Sequence, residues 1–152
     1  MFTPKNILYG WFLKTNPPKN KYIISLYQST KFSILACFTT SQPRAGVSLD
    51  QIKHGTIKKN GEILSYVFEP NVVIGKDPKG NDFCFPVQTT IRFDYCIKEG
   101  SEEYFMKNTQ NLKVVGILDD EEYKQLIYAM YYSNNIPPIY KPIFENILFE
   151  IC

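Results

Sequence analysis

The sequence predicts a mainly β fold, a small curled β-barrel with a helix near its C-terminal end. Aromatic residues make up 15% of the 152 residues, and such side chains pack well on pleated strands. About six to eight short apolar runs alternate with turn-forming residues, whereas a single helical pattern is clear. Because helices do not alternate with the strands, a parallel βαβ sheet is disfavoured. The length suits one domain over residues 1–152.

The predicted strands are short and are separated by turn-forming residues. They cover residues 7–13, 22–27, 32–38, 63–68, 72–74, 83–85, 89–93 and 114–118. Gly10 within the first strand indicates a bulge or a close backbone approach. Pro17 and Pro18 place a polar loop before the second strand, because proline cannot donate to a sheet. The four residues 28–31 between the second and third strands predict a hairpin.

One helix is clearly marked in the C-terminal part. The acidic run 119–122 suits a helix start, where carboxylates accept hydrogen bonds from free backbone N–H groups and interact favourably with the dipole. The apolar residues that follow share one helical face: Tyr123, Leu126, Ile127, Met130 and Tyr131. Residues 99–108 predict a shorter helix, and the apolar tail 140–152 predicts a last turn or two. Residues 45–61 carry the weakest pattern.

Cysteine, histidine and apolar residues are distributed in a way that disfavours several classes of protein. No apolar run approaches the roughly 18 residues that a spanning helix needs, and the first residues do not resemble a signal peptide. We therefore expect a soluble cytoplasmic protein with no membrane partner. The cysteines, at positions 37, 84, 96 and 152, are too far apart for a CxxC knuckle, and His54 is the one histidine. We expect reduced thiols, no metal ion and no cofactor, with Cys37 and Cys84 in the core.

The formal net charge of +2 hides a division along the chain. Residues 1–60 contain nine basic residues and one acidic residue, whereas residues 61–152 contain eight basic and fourteen acidic residues. A basic half favours a surface that faces a polyanion, because phosphates attract lysine and arginine over long range. The alternative is that these lysines only keep the loops soluble and face no polyanion.

Three short segments follow one another in the first 44 residues. They are Gly10-Trp11-Phe12, Lys21-Tyr22-Ile23-Ile24-Ser25 and Thr40-Ser41-Gln42. Their order resembles the PemK/MazF-like family of toxin ribonucleases, in which a Gly-Asp segment precedes an Arg-led strand and a strand that ends in Thr-Ser-Gln. The resemblance is looser over residues 89–93 and 115–118. It implies an SH3-like barrel with a C-terminal helix, cleavage of single-stranded RNA without a metal ion, a homodimer, and an antitoxin protein as partner.

The resemblance also implies which residues carry the chemistry. Metal-free RNA cleavage uses the 2′-OH of the RNA itself, so the protein must supply a cation and a proton donor or acceptor. Thr40 matches the family's catalytic Thr or Ser, and Lys21 stands where the family has Arg. Arg44 would supply the planar fork that lysine lacks, which completes the expected catalytic set. The residues expected to bind RNA are Lys19, Thr39, Ser41, Gln42 and His54.

Two hypotheses of function stay open at this point. One is a toxin-like, metal-independent endoribonuclease, and the other is a catalytically inactive SH3-like barrel that binds a protein partner or nucleic acid. Lys21 in place of Arg, and Trp11 in place of Asp, favour the second. A small-molecule enzyme is a third hypothesis, but the sequence contains no matching motif. Convergence of Lys21, Thr40 and Arg44 on one phosphate-sized pocket would favour the ribonuclease.

Overall fold

A computed structural model describes residues 1–29, 34–41 and 53–151 of the chain. The strands are β1 (Asn6–Phe12), β2 (Lys19–Gln28), β3 (Ile34–Phe38), β4 (Gly55–Lys59), β5 (Glu62–Phe68), β6 (Gly75–Lys76), β7 (Asp82–Phe83), β8 (Thr89–Arg92), β9 (Ile97–Gly100) and β10 (Thr109–Leu118). The helices are α1 (Glu102–Lys107), α2 (Asp120–Tyr132) and α3 (Lys141–Ile151), with a 3₁₀ turn at Pro138–Tyr140. The predicted mainly β fold with a C-terminal helix is confirmed.

The strands form two antiparallel sheets. The large sheet has the order β7-β6-β10-β1-β2-β3-β9, and the small sheet has the order β4-β5-β8. A single bridge between Thr40 and Thr90 links the chain after β3 to β8. The described strands therefore curl into two joined sheets and do not close into the predicted barrel.

Some strands form where the sequence does not predict them. β4 lies within the weakly patterned stretch and pairs with β5 as a hairpin. β9 takes the first residues of the predicted helix 99–108, because this segment pairs with β3 at the edge of the large sheet. The helix α1 then begins after Ser101, whose side chain accepts a hydrogen bond from the Tyr104 N–H at 3.1 Å. The predicted strand at 72–74 does not form, and β6 lies just beyond it.

The large sheet has an apolar core on each of its faces. The larger core packs one face of this sheet against the small sheet and the C-terminal helices, with Ile24, Phe68 and Phe144 fully buried. The smaller core lies on the opposite face beneath Phe2 and Phe105. Cys37 is buried as predicted, whereas Cys84 is half-buried.

The helix α2 is held to the large sheet by a buried hydrogen bond. Its start is capped as predicted, since the Asp119 carboxylate accepts from the Glu122 N–H at 2.8 Å. The Tyr123 hydroxyl donates to the Leu26 carbonyl oxygen at 2.6 Å. The pairing of β2 with β3 shifts register around Leu26, so this residue has no partner in β3. The Tyr123 phenol therefore satisfies a carbonyl that the irregular strand leaves out of that pairing.

We expect Tyr123→Phe to lower the free energy of unfolding by about 1–3 kcal/mol, because it leaves the buried Leu26 carbonyl without its donor. Chemical denaturation followed by circular dichroism measures this change. Tyr128→Phe is the matched control, since Tyr128 lies on the same helix and is 49% exposed. Equal stability of the two variants would contradict this role for Tyr123.

Candidate nucleic-acid interface

A cleft of about 360 Å³ lies where the large and small sheets meet. Its walls come from the start of β2, the segment 39–41 after β3, and the loop before β8. The lining residues are Tyr9, Lys19, Asn20, Lys21, Tyr22, Thr39, Thr40, Ser41, Pro86, Val87 and Thr89. Five of the residues predicted from the sequence therefore lie together: Lys19, Lys21, Thr39, Thr40 and Ser41.

The cleft exists because two paired strands diverge. The pairing of β2 with β3 ends at Ile23 and Phe38, and the Thr39 N–H still donates to the Tyr22 carbonyl at 3.2 Å. Thr40 then exchanges two backbone hydrogen bonds of 2.8 Å with Thr90 in the small sheet. Because β2 continues along β1 while the segment after β3 turns to the other sheet, a gap opens beside residues 19–22.

Two lysines supply the positive charge of the cleft. Lys19 and Lys21 are two positions apart on β2, so their side chains leave the same face of the strand. The Lys21 Nζ lies 3.4 Å from the Thr39 carbonyl oxygen and 5.7 Å from the centre of the Phe38 ring. Burial, and then the charge of Lys19, lower the pKa of Lys21 below its ordinary value. An anion beside Lys21 would stabilise its charged ammonium group and so oppose both effects.

The hydroxyl groups of the cleft differ in how they are used. The buried Thr39 Oγ1 donates to the Tyr22 carbonyl at 3.1 Å, so its proton is occupied within the protein. Thr40 is half-buried beside it, and Ser41 is exposed at the rim. The two remaining members of this predicted segment, Gln42 and Arg44, lie outside the described residues.

His54 lies in a different part of the fold. Its Nδ1 accepts from the Glu69 N–H at 3.1 Å, which leaves Nε2 to donate to the Glu122 carboxylate at 3.0 Å. The Tyr66 hydroxyl donates to the same carboxylate. Burial and the adjacent Glu122 raise the pKa of Tyr66, so its phenol keeps its proton. Both ring nitrogens of His54 therefore serve to join β5 and the small sheet to the start of α2.

Aromatic rings separate His54 from the cleft. The His54 ring lies 6.0 Å from that of Phe68, which lies 5.2 Å from Phe85. Phe85 in turn contacts Tyr22 of the cleft at 4.9 Å. The structure therefore does not bring His54 together with Lys21 and Thr40.

The other walls of the cleft include residues that the sequence did not predict. Tyr9 lies opposite Tyr22 in the β1–β2 pairing, and the two rings are 4.5 Å apart. The apolar alternation of both strands is a signal for such a pair, once their register is known. Pro86 and Val87 carry no comparable signal, because long-range contacts bring their loop to the cleft, among them the Thr40–Thr90 bridge and the packing of Phe85 on Tyr22.

Comparison of the chain with protein-family models, curated proteins and solved structures gives no match. The resemblance to toxin ribonucleases therefore stays a prediction. Among the described residues, no three His, Cys, Asp or Glu side chains are grouped as ligands for a metal ion. Within the same residues, no helix has the length and apolar character to cross a membrane.

We expect Lys21 to titrate below the ordinary lysine value of 10.5, and Lys19→Gln to move its midpoint upward. The reason is that removal of Lys19 leaves burial as the remaining cause of the shift. Isotope-labelled reductive dimethylation followed by NMR titration measures the midpoint, and Lys21→Arg assigns the resonance. A midpoint that does not respond to Lys19→Gln would contradict the proximity of the two ammonium groups.

Proposed function

We propose that this chain binds single-stranded RNA in the cleft and cleaves it as a metal-independent endoribonuclease of the toxin type. The observation that carries the proposal is the position of Lys21, whose half-buried ammonium lies between Lys19 and the segment 39–41. This arrangement suits a phosphodiester, because it offers two cations and neighbouring hydroxyl groups to one anion. A homodimer and an antitoxin that covers the cleft belong to the same proposal.

The reaction needs no nucleophile from the protein. The 2′-oxygen of the RNA forms a bond to the adjacent phosphorus, and the bond from phosphorus to the 5′-oxygen breaks. The products are a 2′,3′-cyclic phosphate and a strand with a free 5′-hydroxyl. The Lys21 ammonium stabilises the negative charge that develops on the phosphoryl oxygens, and it donates a proton to the leaving oxygen. In this proposal the side chain of Thr40, which lines the cleft, contacts a non-bridging oxygen.

The proton of the 2′-hydroxyl leaves to solvent in this proposal. Among the described cleft residues, the tyrosine beside Lys21 is a poor base, because burial raises the pKa of Tyr22. His54 lies elsewhere and holds Glu122. Hydroxide or water therefore takes the proton, and the lysine provides the electrostatic part of catalysis.

We expect the purified chain to cut a long single-stranded RNA in the presence of EDTA and to leave 2′,3′-cyclic phosphate ends. Lys21→Met should lower the cleavage rate by about 100-fold, the typical cost of one transition-state donor. Thr40→Val should lower the rate less. Lys21→Arg keeps the positive charge but does not give up its proton, so its rate should lie between those of the wild type and Lys21→Met. Gel electrophoresis of end-labelled RNA, with end-group analysis, measures all four proteins.

Two variants serve as controls for this assay. Lys58→Met removes one exposed lysine from β4 and should leave cleavage unchanged. His54→Gln tests whether His54 takes part, and we expect cleavage to persist in correctly folded protein. Intact RNA in every lane would overturn the ribonuclease proposal. RNA binding without cleavage would then support the inactive binding protein.

We expect the cleavage rate to rise with pH through the neutral range and to fall again at high pH. The rise follows from hydroxide as the base, and the fall follows from loss of the Lys21 proton below the ordinary value of 10.5. A single-turnover pH profile in EDTA measures both limbs. A bell-shaped profile with its maximum near pH 6.5, and not at alkaline pH, would instead indicate a histidine base and contradict this account.

A further inference from the structure

We propose that the single strand of RNA extends beyond this first cleft into two adjoining clefts, along one continuous track. The inference rests on the proposed function only in that the strand enters beside Lys19 and Lys21. The second cleft, of about 120 Å³, shares Lys21, Thr39 and Thr40 with the first. The third cleft, of about 130 Å³, shares Thr15 and Phe38 with the second. Shared walls mean that the three clefts adjoin in sequence across the surface.

The second cleft adds a guanidinium group and an exposed aromatic ring. The Arg92 guanidinium lies 4.5 Å from the centre of the Tyr95 ring, and Tyr95 is 67% exposed. An exposed ring beside a cation is the arrangement on which single-strand binders stack bases. Arg92 also offers beside Lys21 and Thr40 the planar donor fork that the sequence analysis assigned to Arg44.

Arg92 has donor capacity that the described residues leave unused. Its terminal nitrogen Nη2 pairs with the Asp94 carboxylate at 3.3 Å. Its Nε is buried and has no hydrogen-bond partner in the described part of the chain. A buried donor without an acceptor is unfavourable. The Arg92 side chain as a whole is 32% exposed, so an incoming phosphate oxygen would meet the terminal nitrogens of the guanidinium. Asp94 reduces the net charge of this cleft, which leaves stacking on Tyr95 as an important part of its contribution.

The third cleft repeats the combination of cation and aromatic ring. The Nζ atoms of Lys14 and Lys98 lie 5.7 Å and 5.2 Å from the centre of the Tyr104 ring. The Thr109 hydroxyl in its wall is buried and, like Arg92 Nε, has no partner among the described residues. These two atoms are the unpartnered buried side-chain atoms of the described chain, and their residues line adjoining clefts of the track.

The alternation of cations and rings favours a single strand of RNA over other polyanions. Each cleft has at least one cation for the backbone, from Lys19 and Lys21 through Arg92 to the Lys14–Lys98 pair. Aromatic faces recognise unpaired bases of any sequence, whereas a duplex hides them. An acidic peptide would use the cations but would have no bases to stack on Tyr95. The exposed acids Glu102 and Glu103 at the start of α1 would oppose either polyanion equally.

The experiment measures binding of 2′-O-methyl oligouridine, which has no free 2′-hydroxyl and cannot be cleaved. A series from about two to about ten nucleotides covers the lengths that single-strand sites occupy. We expect affinity to increase with length for the wild-type protein. Tyr95→Ala should weaken the binding of the longer oligonucleotides roughly tenfold and leave the binding of dinucleotides unchanged. Lys98→Gln should lower the slope of log Kd against log salt concentration by about 0.7, because one phosphate contact is lost.

Matched controls lie outside the track. Tyr132→Ala removes an exposed tyrosine of α2, and Lys58→Gln removes an exposed lysine of β4. Both should bind every length as the wild type does. Tyr95→Phe keeps the ring and should restore affinity for the longer oligonucleotides, which separates stacking from a folding defect.

The outcomes distinguish the track from the ribonuclease proposal. Length-dependent binding that Tyr95→Ala and Lys98→Gln reduce supports the track, whether or not RNA is cleaved. RNA cleavage by wild-type protein with binding that neither variant changes overturns the track and leaves the ribonuclease standing. Failure of the wild type to bind any oligonucleotide also overturns the track. Equal affinity for a poly-glutamate peptide and oligouridine, with no effect of Tyr95→Ala, overturns it in favour of an acidic protein partner.

Discussion

The pair of backbone hydrogen bonds between Thr40 and Thr90 is the constraint on which the functional surface depends. These bonds, each 2.8 Å long, take the chain away from β2 at the point where the β2–β3 pairing ends. A strand that continued along β2 would have covered the edge beside Lys21. The same two bonds join the sheets, bring the loop before β8 to the cleft, and hold the hydroxyl residues 39–41 beside the lysines. The same two hydrogen bonds therefore contribute both to the joining of the sheets and to the position of the cleft.

Several charged and polar groups near this surface are in unfavourable environments in the free protein. Lys21 is half-buried beside a second ammonium, and the resulting decrease of its pKa means that the charged form is disfavoured there. Arg92 Nε and the Thr109 hydroxyl are likewise buried without a partner among the described residues. A half-buried lysine with a lowered pKa in a cleft is a common property of binding sites, because an anionic ligand stabilises its charged form. A phosphate backbone supplies acceptors and negative charge at regular spacing.

Prediction from the sequence succeeded where the decisive interactions are local. The helix α2 follows from the Asp119 cap and from apolar positions on one face, and both are properties of neighbouring residues. It failed at β9, whose residues extend because the distant strand β3 offers them hydrogen bonds. It also failed at β4, which pairs with the neighbouring strand β5 but has no clear apolar alternation of its own. The closed barrel was also expected, but the described strands pair into two sheets instead. Pairing partners across the chain leave no periodic signal in a single sequence.

The same division between local and distant contacts applies to the candidate site. The sequence by itself determined that lysines and hydroxyl residues flank the β2–β3 hairpin, because strands close in sequence pair with each other. Only the tertiary structure decided that His54 belongs to the Glu122 cluster, and that Arg92, Tyr95 and Lys98 adjoin Lys21 and Phe38. These residues are separated along the chain by 54 to 77 positions. Their meeting depends on how the two sheets pack and on the Thr40–Thr90 bridge, and side-chain periodicity carries no information about either.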